Sequence, residues 1–111
     1  IGELSRLERL DVSKNWLRTL PRSIGKLRSL CVLRVWFNKL SAFPPELGEL
    51  SELLELSASQ NEIVALPASF GALSERLTLN LIDNPMQKPP LAIAERGVVA
   101  IRRYFMELAR R

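Results

Sequence analysis

Few side chains in this sequence could carry out acid–base, nucleophilic or metal chemistry. The 111 residues include no histidine and one cysteine, Cys31. A cysteine without an imidazole to activate it is a poor nucleophile, so we interpret Cys31 as a half-buried, small apolar side chain. The carboxylates follow no metal-ligand spacing, and no phosphate-binding sequence of glycines and lysine occurs. We therefore predict a protein that is not an enzyme and that has no catalytic residues, cofactor, metal or small-molecule substrate.

The single cysteine also bears on the compartment. One cysteine cannot form an internal disulfide, and unpaired cysteines are typical of reducing environments, so we expect a cytoplasmic protein. The net charge of +4 comes from 16 basic and 12 acidic residues. A weak basic excess favours acidic partners, but it does not by itself indicate nucleic-acid binding.

The strongest signal in the sequence is an internal repeat of 23 residues. Asparagine recurs with this period at Asn15, Asn38, Asn61 and Asn84. Proline recurs with it at residues 21, 44, 67 and 90, and glycine at residues 2, 25, 48 and 71. Three residue types that interrupt regular backbone share one period and one phase, which indicates a solenoid of stacked units.

Apolar residues occupy fixed positions around each asparagine, as the stretch from Leu7 to Leu27 illustrates. Over residues 1–93 the pattern resembles the leucine-rich repeat in its intracellular form. It is similar in style to the Ras-group-related repeat proteins of plants, the Shoc-type scaffolds and the repeat domains of Roco proteins. The segment from Asn84 to Ile101 is similar to the closing segment of those proteins. The resemblance implies an α/β solenoid with a short parallel sheet on its concave face and irregular or helical chain on its convex side.

We predict a single domain over residues 1–111. It comprises the tail of a preceding repeat (1–6), four repeats (7–29, 30–52, 53–75 and 76–93) and a helical cap (94–111). One short strand per repeat is expected, because alternating apolar positions are typical of a strand with one buried face. These strands are predicted at 9–13, 32–36, 55–59 and 78–82. Arg76 replaces a repeat leucine, so we expect a local distortion over residues 74–77.

The two ends of the chain differ in pattern. Val98, Ile101, Phe105 and Leu108 recur at three- and four-residue spacing, which predicts an amphipathic helix whose apolar side faces the repeats. Its outer face is expected to carry arginines 102, 103, 110 and 111, and such a polar outer face suits the cap of a solenoid. No matching cap begins the chain. We therefore expect the N-terminal edge to be covered by further repeats of a longer domain or by a second subunit.

The candidate binding residues lie on the predicted concave face. They are Asp11, Trp16, Arg34, Trp36, Phe37 and Ile82. The three aromatic residues are expected on adjacent strands at one edge of the sheet, and aromatic residues beside arginine are typical of interface hot spots. Alternatively, one of the aromatic rings folds back over the asparagine turn. Asp11 and Arg34 are placed to pair across neighbouring strands, whereas the four repeat asparagines are interpreted as structural, each satisfying backbone groups of its turn.

These observations favour a protein–protein interaction module that binds its partner on the concave face. The resemblance to intracellular signalling scaffolds implies a small GTPase, a kinase or a phosphatase as the partner. One alternative is a purely structural end of a longer repeat domain whose binding residues lie upstream. A less favoured alternative is contact of the arginines within residues 96–111 with nucleic acid or an anionic membrane. Self-association through the N-terminal edge could mimic any of these.

Overall fold

The secondary structure repeats with the period of the sequence. A computed structural model describes residues 6–110, so the predicted tail at residues 1–5 and the outermost Arg111 lie outside the described residues. The four strands are β1 (Arg9–Asp11), β2 (Val32–Arg34), β3 (Glu55–Ser57) and β4 (Thr78–Asn80). One 3₁₀ helix lies between each pair of successive strands, at Arg22–Lys26, Pro45–Glu49 and Ala68–Ala72. Two α-helices follow, α1 (Leu91–Ala94) and α2 (Val98–Ala109).

The four strands form one parallel sheet in chain order. Their register aligns equivalent positions of the repeat, so that Leu10 lies beside Leu33 and Leu33 beside Leu56. Because successive strand residues point to opposite faces, this register places every middle leucine on the same side of the sheet. The predicted parallel sheet, with 3₁₀ helices on the opposite side of the core, is confirmed.

The strands are shorter than the sequence predicts. Each one ends at the third residue of its predicted five-residue window. Three residues later, directly before the asparagine, the backbone φ becomes positive, as at Lys14 (60°) and Phe37 (56°). Extended chain cannot continue through a left-handed residue. This residue lies one position beyond each predicted window and limits any extension of the strand, but each strand already ends two residues inside the window, so the last two residues of each predicted strand were assigned wrongly.

The core lies between the sheet and the 3₁₀ helices. Its leucines are fully buried in the second and third repeats, where Leu30, Leu33, Leu53 and Leu56 have no exposed surface. Burying one leucine contributes roughly 1.5–3 kcal/mol, so this stack dominates the folding free energy. Toward the convex side, the Phe43 and Phe70 rings pack with their centroids 5.4 Å apart, and this contact links successive repeats.

The periodic glycines are explained by close packing of successive 3₁₀ helices. A Cβ atom at Gly25 would lie 2.6 Å from the carbonyl oxygen of Glu46, and one at Gly48 would lie 2.5 Å from that of Ser69. Both distances are far below van der Waals contact. Glycine is therefore required at this position of the repeat because the next backbone passes directly over it.

The distortion predicted at residues 74–77 is confirmed. In the earlier repeats the N–H groups of Leu30 and Leu53 donate to the carbonyl oxygen three residues before them. In the next repeat Leu77 makes the corresponding bond, donating to Ser74 at 3.0 Å. Leu77 is buried whereas Arg76 is exposed. The apolar position has therefore moved by one residue, and β4 nevertheless keeps its register with β3.

Helix α2 packs against the third 3₁₀ helix and covers the end of the core. Val98 and Ile101 are buried and Phe105 is partly buried against the core, as their spacing predicts. Leu108 is 38% exposed, so its assignment to the inward face was wrong. Residues 106–110, at the end of α2, are all exposed.

Arg102 also departs from the prediction that it lies on the outer face of α2. Its Nε donates to the backbone oxygen of Gly71 at 2.7 Å, and its Nη1 lies 3.0 Å from Glu75 Oε2. Residue 102 follows Val98 by four positions, which places both side chains on one face of the helix. Arg102 thus links helix α2 to the third repeat through these two contacts. Arg103 and Arg110 are exposed as predicted.

Candidate functional site

The repeat asparagines bond to the backbone of neighbouring turns. The buried Asn61 accepts the Leu40 N–H at 3.1 Å through Oδ1. Its Nδ2 donates to the carbonyl oxygens of Val35 and Ala58, both at 3.0 Å. Asn84 has the same arrangement one repeat later. Each amide therefore joins its own turn to the preceding one, and its polar atoms are directed into the chain.

Asn15 differs because it belongs to the first described repeat. Its side chain is exposed, and Nδ2 donates to the Ser13 oxygen at 3.0 Å. Its own backbone N–H donates to Asn38 Oδ1 at 2.9 Å. Asn38, by contrast, is buried and also accepts the Leu17 N–H at 2.9 Å. The contacts across the repeat are thus fewer at this first position.

The predicted aromatic residues lie together with two lysines on the first two repeats. We call Lys14, Trp16, Trp36, Phe37 and Lys39 the aromatic–lysine cluster. Trp16 is 72% exposed and Phe37 is 52% exposed, whereas Trp36 is half-buried. Lys14 Nζ lies 5.0 Å from the centroid of the Trp36 ring, and Lys39 Nζ lies 5.3 Å from that of Trp16. Both distances are within the range of a cation–π interaction.

The turn backbone positions these side chains. Trp16 has a φ of 59°, and Phe37 has a φ of 56°. Left-handed backbone occurs directly before the asparagine in each repeat, but directly after it only at Trp16 among residues 6–110. For a bulky residue this conformation costs roughly 1–2 kcal/mol. The strain at Trp16 therefore accompanies the most exposed aromatic side chain of the cluster.

A shallow depression of about 410 Å³ opens between the side chains of this cluster. It is lined by Lys14, Trp16, Phe37, Asn38 and Lys39. None of the five lining residues is acidic, and two carry ammonium groups. The depression therefore combines apolar ring surface with positive charge.

Arg34 and Asp11 occupy adjacent strands but do not pair as predicted. Arg34 Nε donates to Glu55 Oε2 at 2.8 Å, and this hydrogen bond raises the pKa of Arg34. Asp11 Oδ1 instead accepts the backbone N–H of Ser13 at 3.0 Å, which lowers the pKa of Asp11. The two residues are largely exposed, so each contact contributes little to stability. The predicted Asp11–Arg34 pair was wrong because each residue has a nearer partner.

Ile82 lies apart from the aromatic–lysine cluster. It is 52% exposed and follows β4, two strands away from the position of Trp36. With strands about 4.8 Å apart, this separation is roughly 10 Å. The structure therefore brings Trp16, Trp36 and Phe37 together but leaves Ile82 outside the site.

Sequence reasoning missed Lys14 and Lys39 as members of the site and Glu55 as the partner of Arg34. The repeat register contains the signal for all three. Glu55 is the cross-strand neighbour of Val32, two residues before Arg34. Lys39 holds the same repeat position as Trp16, which it contacts from the next repeat, whereas Lys14 lies one position out of register with Trp36.

Other chemical features of the described chain are few. Cys31 is half-buried as predicted, and its thiol lies 3.4 Å from the Ser29 carbonyl oxygen. Within residues 6–110, no three side chains of His, Cys, Asp or Glu come close enough together to hold a metal ion. In the same range, no helix is sufficiently long and apolar to cross a membrane.

Comparison with known proteins agrees with the repeat architecture. Residues 6–27 match the family model described as Leucine Rich Repeat. Among solved structures, a leucine-rich repeat protein of Leptospira interrogans is similar, with a TM-score of 0.74 and 30% sequence identity. The match covers 85% of this chain and 24% of that protein, so this chain spans about a quarter of its length. No curated protein matches the sequence. The predicted leucine-rich repeat solenoid is confirmed.

Proposed function

We propose that this leucine-rich repeat protein binds a partner protein through the aromatic–lysine cluster. Leucine-rich repeat domains generally mediate protein–protein interactions. The observation that supports this particular site is the exposure of Trp16 and Phe37, at 72% and 52%, on adjacent repeats. Large aromatic side chains that neither fill the core nor cap a turn are the residues that interfaces bury.

The two aromatic side chains offer enough apolar surface to anchor a complex. Phe and Trp side chains bury about 150–250 Å² each when they are covered. At about 25 cal/mol per Å² and for the exposed part alone, Phe37 would contribute roughly 2–3 kcal/mol on binding and Trp16 roughly 3–4 kcal/mol. Truncation of such central aromatic residues commonly costs 2 kcal/mol or more, roughly a thirtyfold loss of affinity.

The proposal extends to the class of partner and the compartment. The repeats resemble those of intracellular signalling scaffolds, which supports a small GTPase, a kinase or a phosphatase as the partner. The half-buried thiol of Cys31, the one cysteine of the sequence, supports a reducing, cytoplasmic location.

The test uses the whole chain as immobilised bait and compares two double variants. In Trp16→Ala/Phe37→Ala the aromatic surface of the cluster is removed. The matched control, Val99→Ala/Met106→Ala, removes exposed apolar side chains of α2, which are 44% and 56% exposed. Proteins captured from cell extract are quantified by mass spectrometry, and circular dichroism checks that both variants fold. The cluster variant should lose captured proteins that the wild type and the control retain.

Retention of the same partners by both variants would place the binding surface elsewhere. That result would favour a purely structural role for this segment, with binding by repeats outside it. The alternative is contact of residues 96–111 with nucleic acid or a membrane. The surface available for it has one cation fewer than the sequence suggests, because Arg102 bonds to Gly71 and Glu75.

A further inference from the structure

The aromatic–lysine cluster has a definite electrostatic character, which narrows the chemistry of its partner. Both lysines are exposed, and both ammonium groups lie against aromatic rings. We infer that the partner presents an acidic extended segment whose carboxylates bind Lys14 and Lys39 while its apolar side chains pack on Trp16 and Phe37. This inference rests on the proposed function, because it specifies what the same site binds.

The arrangement of each lysine suits a carboxylate. An ammonium group has three N–H donors. When it lies against a ring face, N–H donors remain available for a hydrogen bond to a ligand. The ring also limits the positions that the flexible side chain visits, so less conformational entropy is lost when a ligand binds. A carboxylate oxygen could then accept a charge-assisted hydrogen bond of about 2.7–2.9 Å from each lysine.

The size of the depression agrees with a peptide segment. Its volume of about 410 Å³ lies toward the lower end of the range for ligand clefts. Such a cleft accepts side chains from an extended segment, with the remaining contacts spread over the neighbouring strands. The lysines can therefore contact acidic side chains on either side of an apolar residue seated between Trp16 and Phe37.

Acidic residues border the positive surface, and they favour a short acidic segment over a nucleic-acid strand. Asp11 lies on β1 of the same repeat as Lys14. Glu62 occupies, one repeat further on, the position that Lys39 holds in its own repeat. A polyanionic backbone that ran along the sheet would meet these carboxylates and be repelled. A peptide can instead place its acidic residues only at the lysines.

The experiment titrates the full chain with a short peptide of glutamates interrupted by phenylalanines. The control peptide has glutamine in place of every glutamate. Because both tryptophans of the sequence belong to the cluster, intrinsic tryptophan fluorescence reports occupancy directly. The glutamate peptide should give a saturable change and bind about tenfold more tightly than the glutamine peptide. Its affinity should fall as salt is raised from about 50 to about 300 mM, because exposed charges are screened.

Two charge-matched variants locate the binding surface. Lys14→Gln/Lys39→Gln should weaken the glutamate peptide by about tenfold or more, since it removes both charge-assisted bonds. Arg96→Gln/Arg103→Gln makes the same change in net charge at exposed residues of the C-terminal cap and should leave the affinity unchanged. Equal weakening by both variants would show general charge attraction and overturn the inference.

Further outcomes separate this inference from the proposed function. The inference of an acidic peptide segment would be overturned by equal affinity for the glutamate and glutamine peptides. It would also be overturned if an oligouridylate, used as a nucleic-acid probe, bound more tightly than the glutamate peptide. If Trp16→Ala/Phe37→Ala still abolished partner capture, the proposed function would stand without it. If capture survived that variant, the proposed function itself would fail, whatever the peptides showed.

Discussion

Replacement of Asn61 by alanine should destabilise the fold by about 3 kcal/mol, a value that follows from its individual hydrogen bonds. The amide accepts from the Leu40 N–H and donates to the carbonyl oxygens of Val35 and Ala58. These two carbonyl groups keep a second partner, from Asn38 and Asn84 respectively. Alanine therefore leaves one buried N–H without its side-chain acceptor, which costs about 1–3 kcal/mol, and removes two further bonds worth about 0.5–1.5 kcal/mol each.

Urea denaturation, followed by circular dichroism and by tryptophan fluorescence, measures this loss. Domains of this size have unfolding free energies of about 5–15 kcal/mol, so the Asn61→Ala protein should still fold and give a measurable transition. The matched control is Asn15→Ala, because the Asn15 amide is exposed and donates to Ser13 over 3.0 Å. We expect the control to lose less than about 1 kcal/mol. Equal losses in the two variants would refute the assignment of stability to amides buried between repeats.

Three other substitutions test separate parts of the structure. Gly48→Ala should lower the unfolding free energy by about 1–3 kcal/mol in thermal denaturation, because its Cβ would lie 2.5 Å from the Ser69 oxygen; an unchanged melting temperature would contradict that close approach. Asp11→Asn should be less stable than wild type at neutral pH, because hydrogen bonding in the folded state lowers the pKa of Asp11 below 3.8. That contribution is present above the ordinary pKa and is lost as the pH falls through the lowered one, so urea titrations of the two proteins should converge in acid. Trp16→Asn should change stability by less than about 1 kcal/mol, since asparagine tolerates the φ of 59° and offsets the lost cation–π contact. The same variant should lose partner capture, and a stability loss above about 2 kcal/mol would instead mark Trp16 as structural.

The repeat positions were predictable from sequence because each has one physical requirement that recurs in every unit. The middle strand leucines, such as Leu33 and Leu56, must fill the same space in successive repeats. The sequence therefore predicts the sheet, its register and the shift at Arg76. It could not locate the strand ends, because the apolar alternation continues for two residues after each strand has ended, as at Val12 and Val35. The residue type alone does not reveal why glycine is needed at position 48. The close approach of the Ser69 backbone to Gly48 is visible only in the three-dimensional structure.

The candidate site was predictable only in part, because two of its contacts, Lys14–Trp36 and Arg34–Glu55, run diagonally between repeats. Trp16, Trp36 and Phe37 were found from their type and spacing. Lys14 was missed because its contact with Trp36 is diagonal, and Lys39, although in register with Trp16, was missed because an exposed lysine is not distinctive by residue type. Arg34 had two candidate partners on neighbouring strands, Asp11 directly opposite on β1 and Glu55 two residues out of register on β3. Side-chain length and the competing Ser13 N–H decide between them.

The structural roles within a repeat are filled by its asparagine, leucines and glycine. This gives the strongest physical reason to regard the aromatic–lysine cluster as functional. Asparagine and leucine satisfy the turn and the core, and Gly25 and Gly48 allow the close approach of the next 3₁₀ helix, so these roles do not depend on the residues around the asparagine. In the third repeat those positions hold polar residues, Gln60 and Glu62, and the ladder of asparagine bonds continues through it. Trp16 and Phe37 at the same positions expose large apolar surface, and Trp16 adds strained backbone. Exposed aromatic residues and strained backbone at positions where neighbouring repeats use polar side chains support the proposal that a partner covers them.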